Sequence, residues 1–420
     1  MTLFNNKLFI FTKNLAKKIL PYKTRESLKV NFLYKPFMKR KTFKCKKNLP
    51  QGINLIGIIG SGKSIGAHAR LIAKALETAN IPFCVLDFCE HFGWTRNNFD
   101  YEHKRCNEQK YNVNLIALNA DCINHVLLVL DREEMNKRYN IGYWAWELAE
   151  FPDIWRYGFN CLQEVWANSG FCANSVAMKS PIPVLSVPLH AGNSHSVIEN
   201  GREYFNIRKD IFLFMVAYDC NSNTNRKNPQ AAVEAYIKAF SPDDNNVGLV
   251  IKIYSPENYQ SHVEELLGKL SEYKNIYYFD KYLSDEEMRT LLSVSDSFVS
   301  LHRAEGFGLI PLEAMALGTP VVSTGWSGNM EYMNDKNAAL VGYKLAPVNG
   351  QYTGTETGED FFWAEPDIKE AANIMRRLVS DNKWRDELIE NGKKTALIDF
   401  NPEIMGKTIR KRLQAMGLLT

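Results

Sequence analysis

Along most of the chain, short apolar runs alternate with longer stretches in which apolar residues recur every three or four positions. The runs "INLIGII" 53–59, "PFCVLDF" 82–88, "NLIAL" 114–118, "NIGYWAW" 140–146 and "EVWA" 164–167 are short and rich in β-branched and aromatic residues. That is the pattern of strands buried on both faces. Between the first two, residues 64–80 place Ile65, Ala69, Ile72, Leu76 and Ala79 on one face of a helix. Strand and helix in alternation predict a parallel sheet covered on both sides.

The proline-rich stretch "SPIPVLSVPLHAGN", 180–193, interrupts this series and reads as a linker. A second series follows. It has strands at 211–218, 247–254, 275–279, 296–301 and 319–324, and helices at 229–240, 260–270, 285–293 and 309–317. A helical stretch, 367–380, precedes an exposed-looking tail to Thr420. The expected fold class is therefore α/β, with two Rossmann-like, doubly wound lobes facing a cleft. Ligands of such sheets sit at the carboxyl ends of strands. The expected division is a basic extension, 1–50, a first lobe, 51–190, a second lobe, 191–395, and a helical tail, 396–420, returning to the first lobe.

Charge changes the picture at the amino end. The chain of 420 residues carries a net charge of +4, but residues 1–48 alone hold 14 Lys/Arg and one acid, Glu26, leaving −9 on the rest. Within them "NKLFIFTKNLAKKIL" sets Leu8, Phe11, Leu15 and Ile19 at helical spacing. Such a segment is suited to an anionic membrane surface. No apolar stretch reaches the roughly 18–20 residues that span a bilayer. The eight cysteines have no C-x-x-C spacing, which predicts reduced thiols in a cytoplasmic protein, peripheral to the membrane through its basic segment. Nothing in the sequence calls for a nucleic-acid partner.

"GIIGSGKS", 57–64, matches the phosphate-binding pattern G-x-x-x-x-G-K-[ST] at every fixed position, between a strand and a helix. A nucleotide hydrolase would also need a strand ending in a magnesium-binding Asp. "HVLLVLD", 125–131, starts too soon after the strand ending at 118 for a parallel crossover. Ile123, Val126, Leu127 and Leu130 instead form one helical face, capped by Asn119 or Asp121, so Asp131 falls at a helix end. The turn is then a phosphate-side loop, with Lys63 as a possible point charge.

The most informative stretch is "LHRAEGFGLIPLEAMALGTPVVSTGWSGNMEYM", 301–333. Glu305 and Glu313 flank two glycines where a strand ends and a helix begins. The amides of 306–309 open that helix and can hold a phosphate or sugar oxygen. Each carboxylate, an acceptor with two oxygens, can take hydroxyls.

This stretch resembles the E-x7-E signature of family 4 retaining glycosyltransferases of the GT-B fold, through "ALGTPVVST" and "GNMEYM" to Glu331. The resemblance covers roughly residues 53–395. It implies that Glu305 contacts the sugar of a nucleoside diphosphate donor and Glu313 its ribose. Gly306, Phe307, Gly308 and Leu309 would face the sugar or diphosphate. Arg226 and Lys227 resemble the basic pair that neutralises the diphosphate, so that neither a metal nor another cofactor is expected. Asn221 stands near where relatives carry a further arginine. Lys252 resembles a donor-side residue and Gly66 the first-lobe glycine nearest the donor.

"NIGYWAWELAEFP", 140–152, with "EVWANSGFCANSVA", resembles a bacterial subgroup acting on surface polysaccharides or lipid-linked glycans. Relatives place a histidine there; this chain has Trp146 and Glu147. Glu147 is expected on the acceptor side, where it can orient or deprotonate a hydroxyl. Trp146, Asn119 and Asp121 are expected beside it. The expected activity is retaining hexosyl transfer from a nucleotide sugar to a glycan or lipid-linked acceptor. A P-loop nucleotide hydrolase and a catalytically inactive nucleotide-sugar-binding module are the alternatives.

Overall fold

The computed structural model describes Thr24 and residues 49–420, apart from 124–125, 127–128, 131, 193–195, 349–350 and 353–354. The basic amphipathic segment of residues 1–48, Thr24 excepted, and Asp131 lie outside the described residues.

The first lobe has strands β1 (Ile53–Gly57), β2 (Phe83–Asp87), β3 (Val113–Ala117), β4 (Tyr139–Trp144), β5 (Glu164–Ala167) and β6 (Val184–Ser186). All are parallel, in the order β2-β1-β3-β4-β5-β6. Helix α1 (Ser64–Thr78) follows β1, and α2 (Gly170–Ala177) follows β5. Asparagines pin the register. Asn54 Nδ2 donates to Asn114 Oδ1 at 2.9 Å, and Asn114 Nδ2 to Asn140 Oδ1 at 2.8 Å, across three neighbouring strands. A slip of one residue would strand these buried amides.

The second lobe has β7 (Phe212–Asp219), β8 (Val247–Tyr254), β9 (Ile276–Phe279), β10 (Ser297–Ser300), β11 (Val321–Thr324) and β12 (Ala339–Val341), in the order β12-β11-β10-β7-β8-β9. Its helices are α3 (Pro229–Ala239), α4 (Gln260–Gly268), α5 (Asp285–Ser293), α6 (Leu309–Leu317), α7 (Ile368–Ser380) and α8 (Asn382–Lys394). The chain reverses direction beside β1 in the first sheet and between β7 and β10 in the second. Both switch points open toward one interlobe cleft.

Two expectations need correction. The proline-rich stretch is not simply a linker: Val184–Ser186 pairs with β5 as the edge strand β6. Prolines flank this edge position, where a missing ladder donor costs little. The stretch after residue 380 is not an exposed tail. After α8, α9 (Pro402–Ala415) lies along α1, with Met405, Ile409 and Leu413 buried. Burying three such side chains stabilises by about 1.5–3 kcal/mol each. Gly406 permits the approach, since a Cβ there would meet Ala75 O at 2.4 Å. Arg412 pairs with the buried Glu164, and the Ala191 amide donates to Phe400 O at 2.9 Å.

A further element, which the sequence pattern did not suggest, is an insert between β12 and α7. Strands β13 (Tyr343–Pro347) and β16 (Phe362–Pro366) form an antiparallel ribbon, with the short pair β14 (Gln351–Tyr352) and β15 (Thr355–Glu356) between them. Val348, Tyr352 and Phe361 join the buried cluster of the first lobe, although the insert belongs by chain order to the second.

Candidate active site

The interlobe cleft has a volume of about 320 Å³. From the first lobe, Gly62, Lys63 and Ser64 line it at the start of α1, with His68, Arg70 and Glu147. From the second come Arg226, Lys227 and the segment Glu305–Leu309.

Glu305 follows the carboxyl end of β10 and is 7% exposed. Lys227 Nζ lies 2.5 Å from its Oε1 and Arg226 Nη1 3.2 Å from its Oε2. Burial pushes the Glu305 carboxyl up, but Lys227 and then Arg226 outweigh it and hold it at about 2. Arg226 itself is buried and fully engaged. It donates to Ala304 O at 2.8 Å and to Ser222 Oγ at 2.8 Å, and Glu147 Oε1 stands 3.8 Å from its Nη2. Asn223 presents this pair: its side chain accepts from the Arg226 amide and caps the helical turn Thr224–Lys227. The cationic pair and the first acidic residue of the sequence motif therefore meet, 78 residues apart in sequence.

After Glu305 the chain turns into α6. Gly308 is the helix cap, with φ +84, a conformation that strains any residue with a Cβ. A Cβ on Gly306 would stand 3.1 Å from Trp146 O of the other lobe. Among the described residues, the amides of Gly306, Phe307, Gly308 and Leu309 have no acceptor. Four such groups at a helix start form an anion-binding row. Ser169 donates through Oγ to Gly306 O at 2.6 Å, and Glu331 Oε2 accepts from the Gly170 amide at 2.6 Å, so the two lobes are joined beside the row.

Glu313 lies one turn and more along α6, at the far side of the same cleft. Burial, and then the nearby Asp285, push its carboxyl up to about 8. Asp285, Arg289 and Arg70, whose charges act on it, and His68 and Tyr282, which line the same cleft, were not singled out in the sequence. His68 is held down at about 4 by burial and by Arg70. The helical face of α1 that carries Ala69, Ile72 and Leu76 to the core turns His68 toward the cleft, and that offset was the available signal.

Other expected residues stand elsewhere. Trp146 is 2% exposed, edge-on to Trp155 at 4.9 Å and to Tyr352 at 5.5 Å, and its indole donates to Glu150 O. It is a core residue, with no free face for a sugar. Lys252 is fully buried on β8. Its Nζ donates to Lys281 O and Ile253 O and sits 3.6 Å from the Tyr254 ring centroid, off the cleft lining. Gly66 is buried under the turn: a Cβ would meet Ser61 O at 2.3 Å and Ile58 O at 2.8 Å. It serves close packing. Asn119 Oδ1 accepts from the Ala145 amide at 2.9 Å, tying the ends of β3 and β4. Asp121, on the adjoining turn, is close enough to Glu147 for that charge to add to the burial that raises its carboxyl, so both residues stand near Glu147 although neither lines the main cleft. Asn221 is exposed just beyond β7.

The glycine-rich turn reaches the cleft without the rest of a nucleotide hydrolase. Ile123, Val126 and Val129 are helical where a magnesium-binding strand would be required. Asp87, at the end of the strand beside β1, is taken by Arg96 at 2.8 Å and by the Cys89 amide at 3.1 Å. Arg70 occupies the carbonyls of Ile59 and Ser61. Lys63 is exposed, 5.1 Å from the Trp94 ring centroid.

Residues 222–395, the greater part of the second lobe, match the family described as Glycosyl transferases group 1. No curated protein matches the chain. Solved structures share its fold over most of its length. HepE of Anabaena, in complex with UDP and glucose, is 15% identical, with 87% of this chain and 100% of that one covered and a TM-score of 0.60. Sucrose-phosphate synthase from Thermosynechococcus elongatus is 14% identical, with coverage of 87% and 99% and a TM-score of 0.60. A glycosyltransferase from Rickettsia africae is 13% identical, with coverage of 88% and 99% and a TM-score of 0.62. The two facing lobes are the GT-B fold of these proteins. With a group 1 domain in its second lobe, the chain is an enzyme, a glycosyltransferase.

Proposed function

We propose that the chain moves a hexose from a nucleoside diphosphate sugar to a hydroxyl of a glycan or lipid-linked acceptor, with retention of configuration. The observation that carries this reading is the row of four amides, Gly306 to Leu309, which have no acceptor among the described residues and belong to a segment that lines the cleft with Arg226 and Lys227. A diphosphate fits that chemistry: the amides take its oxygens, and the two cations face its charge. Uridine is the favoured base because HepE of Anabaena, which shares the fold, holds UDP and UDP-glucose.

In this reading the diphosphate draws Lys227 away from Glu305, which frees that carboxylate for sugar hydroxyls. The bond from the anomeric carbon to the phosphate oxygen breaks. Negative charge gathers on the leaving diphosphate, where preorganised donors stabilise it most. The acceptor oxygen bonds to the anomeric carbon on the face the diphosphate leaves, and its proton passes to a diphosphate oxygen. Glu147, on the opposite side of Arg226, accepts a hydrogen bond from the acceptor hydroxyl. Glu313 takes the ribose hydroxyls. Amides and cations supply the charge neutralisation, so turnover should persist in a chelator. The acceptor class, a role in cell-surface polysaccharide synthesis and contact of residues 1–48 with an anionic membrane rest on the sequence resemblance and on the basic segment.

Thermal shift against nucleoside diphosphates and their sugars tests the reading. Stabilisation by UDP and UDP-glucose is expected. Stabilisation by Mg-ATP alone would favour the hydrolase. Binding of a nucleotide sugar, with no release of its sugar to any acceptor or to water, would mark an inactive module.

A further inference from the structure

Tyr352 is a second-lobe residue by chain order, yet it is 1% exposed within the first lobe's aromatic cluster. Its ring meets Trp146 edge-on at 5.5 Å and Trp363 at 6.4 Å. Its hydroxyl has one hydrogen-bonding partner among the described residues, Glu147 Oε2 at 3.4 Å. Burial pushes the phenol well above its ordinary value, so it remains a donor. Among the described residues Glu147 is otherwise held by Arg226, at 3.8 Å. Both contacts are long, and a carboxylate has about four lone-pair sites. Glu147 is thus aimed from two sides while keeping capacity for another hydroxyl. Trp363, on β16, is faced by Arg303, which pairs with Glu365 and donates to Asn225 O beside Arg226. The ribbon is thereby braced on the segment that carries the cationic pair.

We propose that Tyr352 is a positioning residue: its hydroxyl orients the Glu147 carboxylate toward the transfer centre, and the insert 342–366 exists to deliver it across the cleft. The inference rests on the reading of Glu147 given above. If it holds, the acceptor side is built from both lobes, and the geometry at Glu147 depends on the insert being seated.

Tyr352→Phe tests it, because the ring and its packing are kept. Release of UDP from UDP-glucose, with water standing in for the acceptor, reads the reaction. Expected are an unchanged thermal midpoint and unchanged stabilisation by UDP. The KM for UDP-glucose should stay within about twofold while kcat falls about three- to tenfold, the effect of one lost hydrogen bond of ordinary net strength, as suits a contact of 3.4 Å. Added to Glu147→Gln, the substitution should cost nothing more, because Tyr352 acts through that carboxylate. A kcat within twofold of the parent, or an equal loss on the Glu147→Gln background, would overturn the proposal while UDP binding leaves the transferase reading intact. If the unaltered protein binds no nucleotide, the transferase reading falls and takes this inference with it.

Discussion

Ser169 Oγ, at the start of α2 in the first lobe, donates to Gly306 O in the second at 2.6 Å, and accepts from the Cys172 amide at 3.1 Å. One hydroxyl caps a helix and pins the amide row of the opposite lobe. The carbonyl it holds belongs to the peptide whose amide is that of Phe307, so its direction helps set that of the row.

Ser169→Ala should therefore cost more than a surface cap. A lost cap and a lost buried hydrogen bond together amount to about 1–3 kcal/mol. Chemical denaturation should show that loss, with weaker stabilisation by UDP. An unchanged UDP affinity would mean that the row is held by other contacts.

The two cations should separate in their effects. Lys227 is partly exposed and Arg226 is 3% exposed. Lys227→Met should lower UDP affinity about tenfold, for one lost charged contact, and should also lower stability, because the buried Glu305 loses its nearer cation, though by less than Arg226→Met since Lys227 is partly exposed. Arg226→Met leaves buried carboxylates poorly paired and should destabilise by about 3–5 kcal/mol. Glu305→Gln removes the group that competes with a diphosphate for both cations. UDP should bind at least as well, while turnover falls by about 100-fold. Titration calorimetry and UDP release measure the two arms.

Glu313 gives a pH signature. Its carboxyl sits at about 8 in the folded protein, against an ordinary 4.5. The folded state therefore binds the proton more tightly. The stability it contributes is full below 4.5 and is lost as pH rises through 8. Glu313→Gln never ionises, so its thermal midpoint should gain on that of the parent between pH 4.5 and 8. A difference between the two that does not change with pH would contradict this.

At the glycine-rich turn, Gly66→Ala and Lys63→Ala should contrast. A methyl on Gly66 meets backbone oxygens at 2.3 and 2.8 Å, which cannot move without the turn. Overpacking of this kind costs about 1–3 kcal/mol or more. Among the described residues Lys63→Ala removes one side-chain contact, that with Trp94, and should leave the unfolding midpoint unchanged. Its effect on UDP-glucose affinity should be smaller than that of Lys227→Met.

Most strands and helices were readable because their apolar residues are continuous or periodic. Residues 247–254, 285–293 and 309–317 have the same limits in sequence pattern and structure. Glu305 was readable because its neighbours are glycines at a strand-to-helix turn, a local requirement. Trp146 was misplaced because strand alternation tells which residues share a face, not what covers that face; here the cover is the insert. Tyr352 was invisible because its meaning depends on Glu147, 205 residues away. Edge strand β6 hid behind its prolines, whereas the helical tail expected at 396–420 is α9, seated on the first lobe.

The return of α9 to the first lobe means that the backbone passes between lobes twice, and the hydrogen bond from Ala191 to Phe400 ties the two passages side by side. A single tether would let the lobes drift and twist. Paired crossings at one edge leave a door with a pintle: rotation about the line through them is easy, and sliding apart is blocked. The amide row stands beside this paired crossing, because the Phe307 ring packs 6.3 Å from that of Phe400 and Tyr332 meets Phe400 at 5.7 Å. The same arrangement makes the first lobe discontinuous in sequence. A fragment ending near residue 190 would lack α9 and leave the apolar side of α1 bare, so the lobes cannot be separated by one cut.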